Sequence, residues 1–151
     1  MADPSSRRTA VAVAAFAAGL ALLAGPAVSQ AGASGAAAPA LYTSAQAAAG
    51  AKVFASQCST CHGEHLEGGV GPALTGPNLV RLAKKTKLAV GDVFSFLSLQ
   101  MPLNAPASLT HDQYVSVMAY ILKVNGYPAG ATALTYAGAT KSTVIMTTYG
   151  K

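Results

Sequence analysis

The apolar positions that follow Thr110 have the spacing of an α-helix, and they form the clearest pattern in the chain. Thr110 and Gln113 form a potential capping box at the start of this helix, and Asn125-Gly126 predicts its end. We therefore predict a helix over this segment with one buried face. Its apolar positions are Tyr114, Val117, Met118, Ile121 and Leu122.

A second helix is predicted to begin after Thr43, which forms another potential capping box with Gln46. The helix runs through Phe54 toward Cys58, over residues that are mostly good helix formers. Gly50 is the exception, because glycine lowers the stability of a helix interior. A glycine at this place suggests that another element approaches the helix closely.

Two shorter helices are predicted between these two, over residues 78–85 and from residue 91 or 92 to residue 99. The segment 62–77 is predicted to be a loop, because it holds five glycines and two prolines. Met101-Pro102 ends the later helix, since proline disfavours helical backbone at the residue before it. The chain shows no internal repeat and no βαβ pattern, and the predicted fold class is all-α.

The N-terminus has the pattern of a secretory signal peptide. Arg7-Arg8 precede an apolar run without charge over residues 9–24, and small residues suited to cleavage end at Ser29. The apolar run is shorter than the roughly 20 residues that span a bilayer. We predict a signal peptide over 1–29 and a flexible segment over 30–41, hence export to the periplasm. An uncleaved N-terminal membrane anchor is the alternative.

Composition and charge restrict the class of partner. The chain carries a net charge of +5, and loss of the predicted leader leaves eight basic and four acidic residues, a net charge of +4. So few charges do not form the dense basic surface of a nucleic-acid-binding protein. They do permit docking to an acidic protein.

One domain is predicted over 42–130, followed by a C-terminal extension over 131–151. Within this extension, residues 143–146 are predicted to be either a short strand or an extended tail.

The candidate chemistry lies in Cys58-Ser59-Thr60-Cys61-His62, which holds the only two cysteines of the chain. C-x-x-C-H is the signature of covalent c-type haem attachment. Residues three and four apart share one side of a helical turn, so both thiols and the imidazole of His62 face the same way. We predict one haem c bound through Cys58 and Cys61, with His62 as a ligand of the iron.

Three other interpretations of the motif are weaker. A thioredoxin-like dithiol needs a βαβ setting, which the sequence does not show. A zinc site made of Cys58, Cys61, His62 and His65 is too crowded for the usual ligand spacing. A plain disulfide leaves the histidine unexplained.

The second iron ligand is predicted to be Met101, which lies at a helix end in a loop that can cover the open haem face. Met118 lies among core positions of the strongest helix, and nothing around Met146 indicates a haem crevice. His65 is too close to the first ligand to reach the opposite face. His111 stands at a helix N-terminus, where a solvated or capping role is expected.

Together these motifs resemble class I cytochromes c. The resemblance covers residues 42–130 and implies an all-α fold of a few short helices wrapped around one covalently attached haem. Four segments carry it in the family's order, namely Gly50–Phe54 with Cys58–His62, Gly71-Pro72-Ala73-Leu74, Met101-Pro102, and Val117–Leu122.

The resemblance also implies roles for single residues. The Pro72 carbonyl would accept a hydrogen bond from the His62 ring and fix its orientation, and Leu74 would line the haem. Gly76-Pro77-Asn78-Leu79 also fits the G-P-x-L pattern, so Pro77 is the alternative to Pro72.

The implied function is that of a mono-haem carrier of single electrons, not an enzyme, between a periplasmic dehydrogenase or quinol-oxidising complex and an acceptor oxidase. Two alternatives are a cytochrome subunit held permanently in a quinoprotein-type dehydrogenase complex and a haem sensor or enzyme with an open sixth site. A basic run is either a docking surface for the partner or a solvated helix face. It consists of Arg81, Lys84, Lys85 and Lys87.

Overall fold

The computed structural model describes residues 37–150, and this part of the chain folds into helices and loops without any strand. Its extended segments meet only in two isolated bridges, Tyr42 with Ala129 and Ala89 with Ile145. The predicted all-α class is therefore confirmed. The helices are α1 (Ser44–Gln57), α2 (Ser59–His62), α3 (Gly76–Thr86), α4 (Val90–Gln100), α5 (His111–Val124) and α6 (Tyr136–Thr140).

The predicted signal peptide and most of the predicted flexible segment lie outside the described residues. Within 37–150, no helix is both long enough and apolar enough to span a bilayer.

Both predicted capping boxes are present, and they fix the starts of the two longest helices. At α1, the Thr43 hydroxyl accepts from the Gln46 amide at 3.3 Å, and the Gln46 side chain accepts from the Thr43 amide at 3.1 Å. At α5, the same exchange joins Thr110 and Gln113 at 3.2 and 2.9 Å. Reciprocal caps of this kind satisfy amide donors that a helix N-terminus leaves unpaired.

Helices α1 and α5 cross at Gly50, as the glycine suggested. A Cβ atom at this position would overlap the backbone carbonyl of Ser116 in α5, so only glycine permits the approach. Next to the crossing, the Phe54 ring packs on Tyr120 with 5.3 Å between ring centroids. This pair of helices forms the centre of the core, in which Phe54, Val117, Met118, Ala119 and Leu122 are almost completely buried.

Helices α3 and α4 form, but with other bounds than predicted. Helix α3 begins at Gly76, two residues before the predicted start, because Pro77 lies in its first turn, where a missing amide hydrogen has no cost. Helix α4 begins at Val90, and the Asp92 carboxylate accepts from the Ala89 amide at 2.8 Å. The segment predicted as a loop from residue 62 thus ends at residue 75.

The C-terminal extension packs against the N-terminal end of α4. The amide of Val90 donates to the Val144 carbonyl at 2.7 Å, and the amide of Met146 donates to the Leu88 carbonyl at 2.9 Å. The Tyr136 ring of α6 contacts Phe94 edge to face at 4.9 Å. Residues 143–146 are therefore an extended tail with a single bridge, and the extension adds apolar side chains to the core.

Candidate haem site

The C-x-x-C-H motif occupies the junction of α1 and α2. The amide of Cys58 still donates to the Phe54 carbonyl of α1 at 2.9 Å. The Cys58 carbonyl in turn accepts from the amides of Cys61 at 3.1 Å and His62 at 3.0 Å. This single turn carries both cysteines and the histidine at the C-terminal end of α1.

The two thiols are free in the described part of the chain, Cys58 half-buried and Cys61 exposed. Burial, and secondarily the neighbouring Cys61, raises the pKa of the Cys58 thiol to about 11. Thiols of dithiol oxidoreductases have the opposite property, a lowered pKa that makes them nucleophilic at neutral pH. Residues 37–150 also hold no group of three His, Cys, Asp or Glu side chains placed to bind a metal. The dithiol and zinc interpretations therefore gain no support.

The ring of His62 is oriented by a backbone carbonyl. Its Nδ1 lies 2.8 Å from the carbonyl oxygen of Pro72. A carbonyl can only accept, so Nδ1 carries the proton and Nε2 has its lone pair available for a metal. Between the two prolines that fit the sequence pattern, the carbonyl beside the ring is that of Pro72, whereas Pro77 lies in the first turn of α3.

The segment 63–75, here called the histidine loop, is held by backbone hydrogen bonds within it and to α2. The amide of Gly68 donates to the His62 carbonyl and the amide of Gly71 donates to the Cys61 carbonyl, both at 2.8 Å. The amide of Leu74 donates to the carbonyl of the fully buried Leu66, also at 2.8 Å. A loop of this length thereby gains a fixed path without regular secondary structure.

Asn125 connects the histidine loop to the end of α5. Its side-chain amide donates to the Leu74 carbonyl and to the Ile121 carbonyl, each at 2.9 Å, and the residue is completely buried. The sequence indicated Asn125 only as a helix end. A buried asparagine that bonds a loop carbonyl has no local signal, because its partner lies 51 residues away.

Met101 lies at the C-terminal end of α4 and opens the segment 101–109, here called the methionine loop. Its side chain is partly buried and packs against the core. Met118 and Met146 are buried almost completely, at 0% and 1% exposure, as core residues. Among the methionines within 37–150, Met101 is therefore the one that is not buried.

The two rival histidines lie on the surface. His65 is exposed within the histidine loop, where its amide donates to the Glu67 carboxylate at 2.7 Å. The His111 ring stacks on Tyr136 with 4.0 Å between ring centroids. Neither contact gives these imidazoles a buried position.

The basic run lies on α3 and just after it. Helix α3 faces the core with Leu79 and Ala83. The members of the basic run, Arg81, Lys84, Lys85 and Lys87, are all exposed.

The chemistry of these side chains fits a haem c. Two free thiols from one helical turn suit two thioether bonds, and the imidazole has its Nε2 available. The sulfur of Met101, a residue that is only partly buried, is a soft ligand of the kind that c-type cytochromes use.

Comparison with known proteins gives the same class of protein. Residues 45–121, just over half of the chain, match the family described as "Cytochrome C oxidase, cbb3-type, subunit III", and the chain belongs to this family. It is a class I c-type cytochrome. No curated protein matches the chain significantly.

A solved structure has a similar fold, "Crystal Structure of the Sulfane Dehydrogenase SoxCD from Paracoccus pantotrophus". The TM-score is 0.50 with 24% sequence identity, and the match covers 66% of this chain. It covers 52% of that chain, so this protein spans about half the length of the solved one.

Proposed function

We propose that this chain is a mono-haem c-type cytochrome that is exported to the periplasm and carries single electrons between redox proteins. The observation that carries the proposal is the His62–Pro72 hydrogen bond of 2.8 Å beside two free thiols. Haem c bound here would supply a one-electron redox couple.

The chain's own residues have distinct roles in this proposal. Cys58 and Cys61 would hold the haem, and His62 and Met101 would be the ligands of its iron. The Pro72 carbonyl fixes the His62 ring, since it accepts from Nδ1 and leaves Nε2 for the metal. Leu74 adds an apolar wall. No side chain acts as an acid, a base or a nucleophile, so the chain by itself is proposed to be a carrier and not an enzyme.

The first experiment measures the intact mass of the mature protein. We expect the polypeptide from Gln30 plus the mass of one haem. This single value tests leader cleavage after Ser29 and covalent attachment together. A colourless protein of polypeptide mass alone, or one that has lost only two hydrogens to a disulfide, would contradict the proposal.

The second experiment tests the methionine ligand. The oxidised protein should show the near-infrared band of methionine-ligated haem, and Met101→Ala should abolish it. Met118→Leu is the matched control, because Met118 is completely buried in the core, and this variant should keep the band. A native protein without the band that binds carbon monoxide readily would favour the sensor or enzyme with an open sixth site.

Partner docking is proposed to involve the basic run. Electron-transfer complexes are small and transient, and charges around such a contact mainly raise the rate of encounter. Reversal of Lys84 and Lys85 to Glu should slow electron transfer from an acidic partner at low salt, with the difference disappearing at high salt. The same reversal at Lys52 and Lys123, which are exposed on α1 and α5, is the control. Equal salt dependence in both double variants would exclude the basic run.

A second candidate function is that of a cytochrome subunit held permanently in a larger redox complex. The family description names an oxidase subunit, and the solved protein of similar fold is described as a dehydrogenase. Size-exclusion chromatography of the native extract separates the candidates. A free carrier elutes as a monomer of about 120 residues, and a permanent subunit elutes with its partners.

A further inference from the structure

We propose that Tyr114 is a positioning residue for the iron ligand Met101, acting through the backbone of the methionine loop. The inference rests on the proposed function in one respect, the assignment of Met101 as ligand. Nothing in the sequence marked Tyr114 as more than an apolar position of α5.

The side chain of Tyr114 bonds both ends of the methionine loop. Its hydroxyl donates to the Met101 carbonyl at 2.6 Å, and the same oxygen accepts from the Leu109 amide at 3.3 Å. The residue is 2% exposed, so the core fixes the position of its ring and hydroxyl. The phenol thus joins the first and the last residue of the loop.

The rest of the loop has little to hold it. Residues 103–108 are all exposed, and the loop has one internal backbone hydrogen bond among the described residues, from the Ala105 amide to the Pro102 carbonyl at 2.9 Å. The position of Met101 therefore depends on the end of α4, on the buried Pro102 and on the bond from Tyr114.

Loss of the phenol oxygen would free the Met101 carbonyl and the Leu109 amide together. The methionine sulfur would then leave the iron more often, because the backbone that carries it could move. Tyr114 itself need not touch the haem for this effect, which makes it a positioning residue.

The test is Tyr114→Phe in the complete haem-loaded protein. We expect the apparent affinity of the reduced form for carbon monoxide to rise about tenfold, because one hydrogen bond of ordinary net strength corresponds to about one decade in an equilibrium constant. The near-infrared band of the oxidised form should weaken with temperature sooner than in the unmodified protein.

Tyr127→Phe is the matched control. Its hydroxyl likewise donates to a carbonyl, that of Ile145 at 3.1 Å, and accepts from an amide, that of Thr147 at 3.2 Å. It holds the C-terminal extension and not the methionine loop. An increase in carbon monoxide affinity in Tyr114→Phe but not in Tyr127→Phe supports the proposal. Equal values in the two variants would overturn it.

Two further measurements separate this proposal from the proposed function. If Met101→Ala keeps the near-infrared band, the ligand assignment is wrong and both proposals fail. If Met101→Ala loses the band while Tyr114→Phe matches the unmodified protein, only the role of Tyr114 fails. The unmodified reduced protein should also show a slowly exchanging Tyr114 hydroxyl proton close to Met101 by NMR. A rapidly exchanging proton would overturn the proposal without any variant.

Discussion

The histidine loop follows His62 and the methionine loop begins with Met101, the two residues proposed to bind the same iron, but the two loops are held in place by different means. The histidine loop has backbone bonds of its own, from Gly69 to Gly71 at 2.9 Å and from Leu74 to Leu66 at 2.8 Å, and two more at 2.8 Å to carbonyls of the adjoining α2. The bond between the His62 ring and the Pro72 carbonyl adds to these. The methionine loop has one internal backbone bond and relies on the side chain of Tyr114 from another helix. One ligand is therefore fixed by its own neighbours along the chain and the other by a tertiary contact.

This difference predicts how the two loops respond to substitution. Changes inside the histidine loop should be costly wherever they disturb its backbone, whereas the exposed part of the methionine loop should tolerate changes. Four substitutions test the comparison.

The largest effect is expected for Gly71→Ala. A Cβ atom here would lie 2.9 Å from Cε1 and 3.0 Å from Nδ1 of His62, and 3.2 Å from the Cys61 carbonyl oxygen. The ring would have to move from Pro72, and we expect a loss of about 3 kcal/mol in the free energy of unfolding. Denaturant unfolding of the haem-loaded protein measures this change in the free energy of unfolding.

Gly76→Ala is the control for this prediction. At Gly76 a Cβ atom meets nothing within 4 Å, and only its φ of +82° disfavours another residue. An alanine in that conformation should lower the free energy of unfolding by about 1 kcal/mol. If the two variants are equally stable, the close fit around the His62 ring is not what holds the histidine loop.

Asn125→Ala should have the next largest effect. It removes both side-chain amide bonds, to Leu74 and to Ile121, and leaves the Leu74 carbonyl without this donor, whereas the Ile121 carbonyl keeps the backbone amide of residue 125 at 3.1 Å. We expect the free energy of unfolding to fall by about 2 kcal/mol. Asn104→Ala, in the exposed part of the methionine loop, is the matched substitution and should change the free energy of unfolding by less than about 0.5 kcal/mol. Equal losses would contradict the difference between the loops.

Alkaline pH tests whether a tyrosine that bonds a backbone segment at two points stabilises the fold. Burial raises the pKa of Tyr127 to about 12, opposed by a bond from the Thr147 amide and reinforced by Tyr149. A raised pKa means that the folded state favours the neutral phenol. The stability that the neutral Tyr127 phenol gives to the folded state is complete at pH values below about 10, the pKa of a tyrosine in the unfolded chain. It is lost as the pH rises toward 12.

Unfolding free energies at a series of pH values from 9 to 12 should therefore fall in the unmodified protein. The fall should be smaller in Tyr127→Phe, which has no phenol to ionise. Parallel curves for the two proteins would show that this hydroxyl does not contribute.

The smallest effect is expected at Ala107 and has the opposite sign. Its φ of +57° lies in the left-handed region, which glycine adopts without strain. Ala107→Gly should stabilise the protein by about 0.5 kcal/mol, the relief of strain less the added chain entropy of the unfolded state. Ala105→Gly in the same loop has no such strain to relieve and should destabilise slightly. A thermal unfolding comparison of the two variants decides the sign.

Local patterns in the sequence predicted local structure well. The pairs Thr43 with Gln46 and Thr110 with Gln113 gave the starts of α1 and α5, because a capping box involves residues three apart. Gly50 indicated a close approach although its partner, Ser116, could not be named. Helix α3 begins two residues before its predicted start, because Pro77 lies in the first helical turn and not in the preceding loop.

The contacts that join distant segments were beyond the sequence. Tyr114 and Asn125 appeared only as an apolar position and a helix end, yet each bonds a carbonyl of a loop that brings a site residue. The packing of the extension on α4 had no counterpart in any periodic pattern, because its bonds use the backbone, which every sequence provides.

The sequence by itself thus determined the chemistry of the His62 side, since two thiols and an imidazole within one helical turn are placed by the local geometry of the backbone. Only the tertiary structure decided between the Pro72 and Pro77 carbonyls, because both fit the motif and the choice depends on the path of the loop back to the ring. It also decided how Met101 is held, because the bond comes from α5, whose position relative to the loop is set by packing against α1.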